Sequence, residues 1–233
     1  MNPLHILSAG AAQSVVEGMA APFTRDTGCE VKAAFGAVGA MRGRVIAGEP
    51  VDVIILTAAL IDELTASGHV VSGSRRDLGT VGTGVAVRAS APLPDVSSED
   101  ALRASLLDAR RIVFPDPAIA TAGKVVMRAL ETLGIVEDVR QRLQLFPNGY
   151  AAMRWLAQSP EPMEIGITQT TEILANKGVT YVAPLPAALQ MKTVYSAGVA
   201  TGSPNPDAAR QFIARLTAPA ARPMLEAAGY EFT

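Results

Sequence analysis

Two cations in this chain stand where they could meet an anion. Arg42 lies one helical turn beyond Gly36-Ala37-Val38-Gly39, and Lys124 comes directly after Thr121-Ala122-Gly123. The start of a helix offers unpaired N–H groups and the positive end of the helix dipole, so a tight turn that opens a helix can hold an anion. The turns at Gly10-Ala11, Val38-Gly39, Ala122-Gly123 and Asn148-Gly149 all have that form. A guanidinium takes a carboxylate through two parallel hydrogen bonds, and two separated cations suit a di- or tricarboxylate better than a single tetrahedral oxyanion. The plainer alternative is that the glycines only permit tight turns and that Arg42 and Lys124 are solvated helix residues.

Uncharged polar groups fall beside the same turns: Ser8, Gln13, Thr57, Asn148, Tyr150, Thr168, Gln169 and Thr170. Some serve as helix caps; Asn148 is placed to cap the helix opening at Gly149, and Thr168 or Thr170 the one that follows. If the chain is an enzyme, Lys124 and Tyr150 are the catalytic candidates, being the titratable groups beside these turns. Met153 and Trp155 read as core.

Other chemistries find little support. Gly79–Gly84 (GTVGTG) looks like a nucleotide loop, yet a strand follows where the phosphate-binding helix should begin, and Ala122-Gly123-Lys124-Val125 lacks the spacing of a P-loop. There is no G-x-S-x-G elbow, and His5 and His69 match neither a hydrolase triad nor a metal-ligand spacing. Cys29 is the single cysteine, which excludes an intrachain disulfide. Asp116-Pro117 reads as a turn that leads into a helix. The expectation is therefore no metal and no cofactor. With Lys+Arg 20 against Asp+Glu 22, the surface lacks the positive footprint of a nucleic-acid binder.

These candidates need elements to hold them. The chain is 233 residues long, 49% hydrophobic and 18% charged, enough for a full core in one large or two small lobes. Leu4–Leu7 reads as a strand, Ser8-Ala9-Gly10 as a turn and Ala11–Arg25 as a helix. The same unit recurs at Glu30–Phe35 with a helix to about Ala47, at Val53–Leu56 with Leu60–Ser67, and at Arg111–Phe114 with Thr121–Leu133. It returns at Leu143–Phe146 with Gly149–Ala157 and at Ile165–Thr168 with Thr171–Asn176. Repeated strand-turn-helix units predict an α/β fold of mostly parallel sheets flanked by helices. Gly79–Arg88 and Lys192–Thr201 are long β-type runs with no helix directly after them, as expected of strands that cross between lobes. On that reading lobe 1 holds 1–80 plus 195–233, lobe 2 holds 81–194, and the two hinge strands leave a ligand cleft between lobes.

The residues that carry this pattern also resemble a family. Leu7-Ser8-Ala9-Gly10-Ala11, Phe23–Gly28, Phe35-Gly36-Ala37-Val38-Gly39, Ala47–Val53, Asp116-Pro117, Thr121-Ala122-Gly123, Asn176–Val179, Tyr195 and Leu225–Phe232 resemble the periplasmic molybdate-binding proteins of ABC transporters. The resemblance covers nearly the whole chain and implies the type II solute-binding fold. It also implies that the two serine hydroxyls with which that family holds its oxyanion are replaced here by Ala11 and Val38, and its second-lobe tyrosine near Gln169. The amides around Ala122-Gly123 carry over. The ligand expected is thus a small organic anion other than molybdate, a di- or tricarboxylate, held by a solute-binding protein. The alternative is a cytoplasmic isomerase on the same scaffold, moving a double bond in a polycarboxylate such as aconitate.

The N-terminus has no secretory pattern and no apolar run approaches the length of a membrane span, so the sequence as written reads as cytoplasmic. If it begins at a mature N-terminus, the expectation becomes a periplasmic protein with an ABC transporter permease as partner. Neither nucleic acid nor membrane insertion is expected.

Overall fold

The computed structural model describes residues 2–232. In chain order the strands are β1 (Leu4–Ala9), β2 (Val31–Gly36), β3 (Val53–Thr57), β4 (Arg76–Val81), β5 (Thr83–Arg88), β6 (Arg111–Pro115), β7 (Leu143–Phe146), β8 (Glu164–Gln169), β9 (Val179–Pro184) and β10 (Thr193–Val199). The helices are α1 (Gln13–Thr27), α2 (Val38–Ile46), α3 (Ala58–Ala66), α4 (Glu99–Asp108), α5 (Thr121–Thr132), α6 (Val136–Val139), α7 (Gly149–Gln158), α8 (Thr170–Leu174), α9 (Pro206–Leu216) and α10 (Arg222–Ala227). Short 3₁₀ turns occupy Gly10–Ala12, Arg140–Arg142 and Pro219–Ala221.

The chain forms two compact units, Met1–Val81 with Thr193–Thr233, and Gly82–Lys192. The first is a five-stranded sheet in the order β2-β1-β3-β10-β4, in which β1, β2 and β3 run parallel and β10 runs against both β3 and β4. Every residue of β3 is buried, as expected of a central strand covered on both faces. Phe23 of α1 meets Phe212 of α9 edge to face at 5.2 Å, which seats α9 on α1. The buried carboxylate of Asp52 fastens the return of the chain, accepting from the His5 amide at 2.8 Å, from Ser203 Oγ at 2.6 Å and from the Asn205 amide at 3.0 Å.

The second unit has the order β7-β6-β8-β5-β9, with β6 parallel to β7 and β8, and β5 antiparallel to β8 and β9. Period-two alternation sorts its side chains. Val85, Ile165 and Ile167 pack on one face with Val125 and Val126 of α5, while Ala86 and Val113 pack on the other with Ala152, Met153 and Leu156 of α7. The stretch 79–88, expected as one long strand, is two: β4 pairs with β10, β5 pairs with β8 and β9, and the chain changes sheets at Gly82. β10 lies wholly in the sheet of the first unit. Among the described residues no helix is long and apolar enough to cross a membrane.

Candidate functional site

In the first unit the candidate residues sit at the carboxyl ends of β1, β2 and β3. Gly10 and Ala11 are buried in the 3₁₀ turn after β1, and the Ala11 carbonyl accepts the Tyr230 hydroxyl at 3.1 Å. α1 and α2 both begin without a side-chain cap, so among the described residues the amides at the start of α2, around half-buried Val38 and Gly39, meet no side-chain acceptor. α3 differs, because Thr57 Oγ1 accepts the Leu60 amide at 3.4 Å and thereby serves as a cap. Ser8 is buried with its hydroxyl turned to the Ala9 carbonyl at 3.0 Å. Gln13 bonds to Glu17 on its own helix at 2.9 Å. Arg42 is engaged by Glu63 of α3, Nε to Oε1 at 2.8 Å with a second bond from Nη2, so this guanidinium already has a carboxylate.

The second unit brings more of the candidates together. α5 starts at Thr121 with Ala120 before it and no side-chain cap, and Ala122 and Gly123 are buried in its first turn. A Cβ on Gly123 would lie 2.2 Å from the Pro115 carbonyl oxygen and 2.7 Å from the Pro117 nitrogen, so only glycine lets this helix start press onto the end of β6. Asp116 shapes that turn, its Oδ1 accepting the Ala118 amide at 2.8 Å. Lys124 is exposed, and its ammonium has no ion pair among the described residues.

Gln169 ends β8 opposite Thr83 of β5. Their side chains share the sheet face of Val85 and Ile167, the face on which α5 packs. Gln169 is 2% exposed, and among the described residues neither its amide oxygen nor its amide nitrogen has a partner; the same holds for the buried hydroxyl of Thr83. Buried polar atoms are almost always paired, so two such neighbours beside an uncapped helix start mark a place built to receive hydrogen bonds from something else. Gln190 fixes Thr83 from outside the sheet, accepting from its amide and donating to its carbonyl, both at 2.8 Å.

The opposite face of β8 holds a second cluster. Asn148 Oδ1 accepts the Ala151 amide at 2.8 Å and caps α7, as expected. Thr168 and Thr170 do not cap α8. Thr168 donates to Glu172 Oε2 at 2.6 Å and Thr170 donates to the Gly82 carbonyl at 3.1 Å, and neither hydroxyl accepts an amide at the start of this five-residue helix. The Glu172 carboxylate is fully buried and also accepts the amides of Gly149 and Gln169. Burial pushes its pKa up to about 7, against the opposing pull of those three donors. The anion-holding amide at Gly149 is therefore already taken by a side chain of the protein. Tyr150 follows, half-buried, in the first turn of α7. Met153 is buried in the core, and Trp155 packs against Phe146. Thr83, Glu172 and Gln190 were not among the sequence candidates. Among the described residues no group of three or more His, Cys, Asp or Glu side chains could hold a metal ion.

Against this geometry stand three kinds of likeness. A family described as "Bacterial extracellular solute-binding protein" matches residues 4–231. An aconitate isomerase from a Pseudomonas species is 29% identical over 241 residues, covering 98% of this chain and 87% of that protein. A molybdate-binding protein of Escherichia coli is 23% identical over 202 residues, covering 86% of this chain and 78% of that one. Among solved structures, the periplasmic molybdate-binding protein of Azotobacter vinelandii superposes with a TM-score of 0.84 at 22% identity, over 99% of both chains. The fold is accordingly that of the two-lobed α/β periplasmic binding proteins.

Proposed function

Because the chain belongs to the bacterial extracellular solute-binding protein family, we propose that its solute is a small di- or tricarboxylate. The observation that carries this reading is the group at the end of β8: an uncapped α5 start with the partnerless Gln169 amide and Thr83 hydroxyl on the same sheet face. Each unfilled buried donor or acceptor costs about 1–3 kcal/mol, which a bound ligand restores. The amide of Gln169 and the first-turn amides of α5 offer N–H donors suited to a planar carboxylate, and Lys124 supplies charge. Ala11 and Val38, where the molybdate binders have hydroxyls, speak against a tetrahedral oxyanion. If the chain is exported, the expected partner is an ABC transporter permease.

A second reading is favoured by one specific observation, the aconitate isomerase that matches 98% of the chain. On this reading the bound tricarboxylate loses a proton from its methylene carbon and the double bond shifts by one position. A proton then joins the former vinylic carbon, so substrate and product have the same composition. Lys124 and Tyr150 are the groups proposed to carry the proton or offset the developing charge.

Calorimetry against trans-aconitate, citrate, molybdate and sulfate tests the first reading. The tricarboxylates are expected to bind at least tenfold more tightly than either oxyanion, and Gln169→Leu to cost about 1–3 kcal/mol of that affinity. Tight molybdate binding at the expense of the tricarboxylates would overturn it. Proton NMR of cis-aconitate with the protein in deuterated water separates the two readings. Deuterium uptake or cis–trans interconversion establishes an isomerase; tight binding with neither over a day leaves a binding protein.

A further inference from the structure

Glu172 is buried and belongs to neither proposed ligand group, yet its carboxylate joins two of the turns at which ligand contacts are expected. From the first turn of α8 it reaches the end of β8, taking the Thr168 hydroxyl at 2.6 Å and the Gln169 amide, and across to α7, taking the Gly149 amide. The fit is close: a Cβ on Gly149 would lie 1.9 Å from Glu172 Oε2 and 2.2 Å from Thr168 Oγ1, so this backbone is shaped around the carboxyl. A buried acid is expensive to keep, and a hydrophobic side chain would fill the same space at less cost.

From this geometry we infer that Glu172 is a positioning residue for ligand binding: it pins the Gln169 backbone from one face of the sheet and so aims the Gln169 side chain into the other. Successive side chains on β8 alternate between faces, so Thr168 points toward Glu172 while Gln169 points toward Thr83 and α5. A Gln169 backbone free to shift would carry its amide head away from the α5 amides. The same carboxylate holds the Gly149 amide, which keeps the start of α7 against the end of β8. This role rests on the tricarboxylate reading for its ligand, but the pinning itself is a property of the unliganded protein.

The test uses the full chain, as wild type, Glu172→Ala and Glu172→Gln. Amide hydrogen exchange followed by NMR reads the pinning without ligand. Glu172→Ala is expected to speed exchange at Gly149 and Gln169 more than tenfold while leaving the amides of Ile112–Phe114 in β6 within twofold. Glu172→Gln keeps a planar head that can donate to Thr168 Oγ1 and accept from an amide, and is expected to hold both rates within threefold of wild type. Titration with trans-aconitate then reads the aiming: at least tenfold weaker binding in Glu172→Ala, with most of the loss restored in Glu172→Gln. Unchanged exchange at Gly149 and Gln169 in both variants would overturn the inference, as would Glu172→Ala binding trans-aconitate within threefold of wild type. Should Glu172→Ala not fold, Thr168→Val, which removes one donor to the same carboxylate, takes its place, with a rise of at least threefold in both exchange rates expected and no rise overturning the inference. If wild type binds neither trans-aconitate nor citrate, the tricarboxylate reading fails by itself, and the exchange rates still decide whether Glu172 pins the two turns.

Discussion

A carboxyl buried as Glu172 is titrates where most carboxyls do not, and this has a definite sign. Its pKa in the folded protein is about 7, against 4.5 for an ordinary glutamate. Folding therefore takes up a proton between those values. The stability this contributes is fully present below pH 4.5, is lost as pH rises to about 7, and stays constant above that. The span corresponds to about 3 kcal/mol. Urea unfolding from pH 5 to pH 8.5 should show Glu172→Gln gaining stability relative to wild type as pH rises, with the gain levelling off above about 7; a difference independent of pH would contradict the shift. Little of this was legible in the sequence. Thr168 and Glu172 are four residues apart, a spacing that puts them in reach only because β8 ends and α8 begins between them. Gln169 was legible through its resemblance to a ligand position, whereas Thr83 was hidden in a run read as one continuous strand. Arg42 looked like a free cation because its partner, Glu63, comes from the next helix, and helix-to-helix pairing leaves no mark in a local pattern.

The elements that carry the candidate residues were easier to read than those that do not. Each strand-turn-helix unit bearing a candidate residue emerged near its expected bounds, since a buried parallel strand is a dense aliphatic run and its helix shows helical spacing. α4 and β9 went unread. α4 carried its signals, a Ser98 cap with Glu99 and Asp100 in the first turn, but a proline-rich approach obscured them. β9 is a half-buried edge strand with no dense core run. Two glycines show what packing does to a helix. Gly123 starts α5 against the backbone of Pro115 and Pro117, which has no flexible end to give way, so Gly123→Ala should lose about 1–3 kcal/mol of stability and weaken ligand binding together. Gly43, inside α2, has nothing within 4 Å of where its Cβ would be, so Gly43→Ala should gain about 0.5–1 kcal/mol through helix propensity alone. Chemical denaturation with calorimetry on both variants checks the contrast, and equal effects at the two positions would refute it.

The two units differ in how the chain supplies them. Gly82–Lys192 is one continuous segment, and its two ends leave the first unit side by side, since Val81 pairs with Thr193. The remaining unit is assembled from both ends of the chain, with β10 seated between β3 and β4. Expressed alone, residues 82–192 should therefore fold and melt cooperatively, whereas residues 1–81 should not, because β10, the strand that joins β4 to β3, is missing. Circular dichroism melts of the two fragments decide this, and a cooperative transition in 1–81 would count against the assignment. The same arrangement sets an order of events during synthesis. While the ribosome makes residues 82–192, the buried run Val53–Thr57 has already been made, and its edge waits for a partner strand more than a hundred residues downstream. For that interval the nascent chain presents an open apolar β edge, a natural client for whatever holds growing polypeptides apart, until the last fifth of the protein arrives to close it.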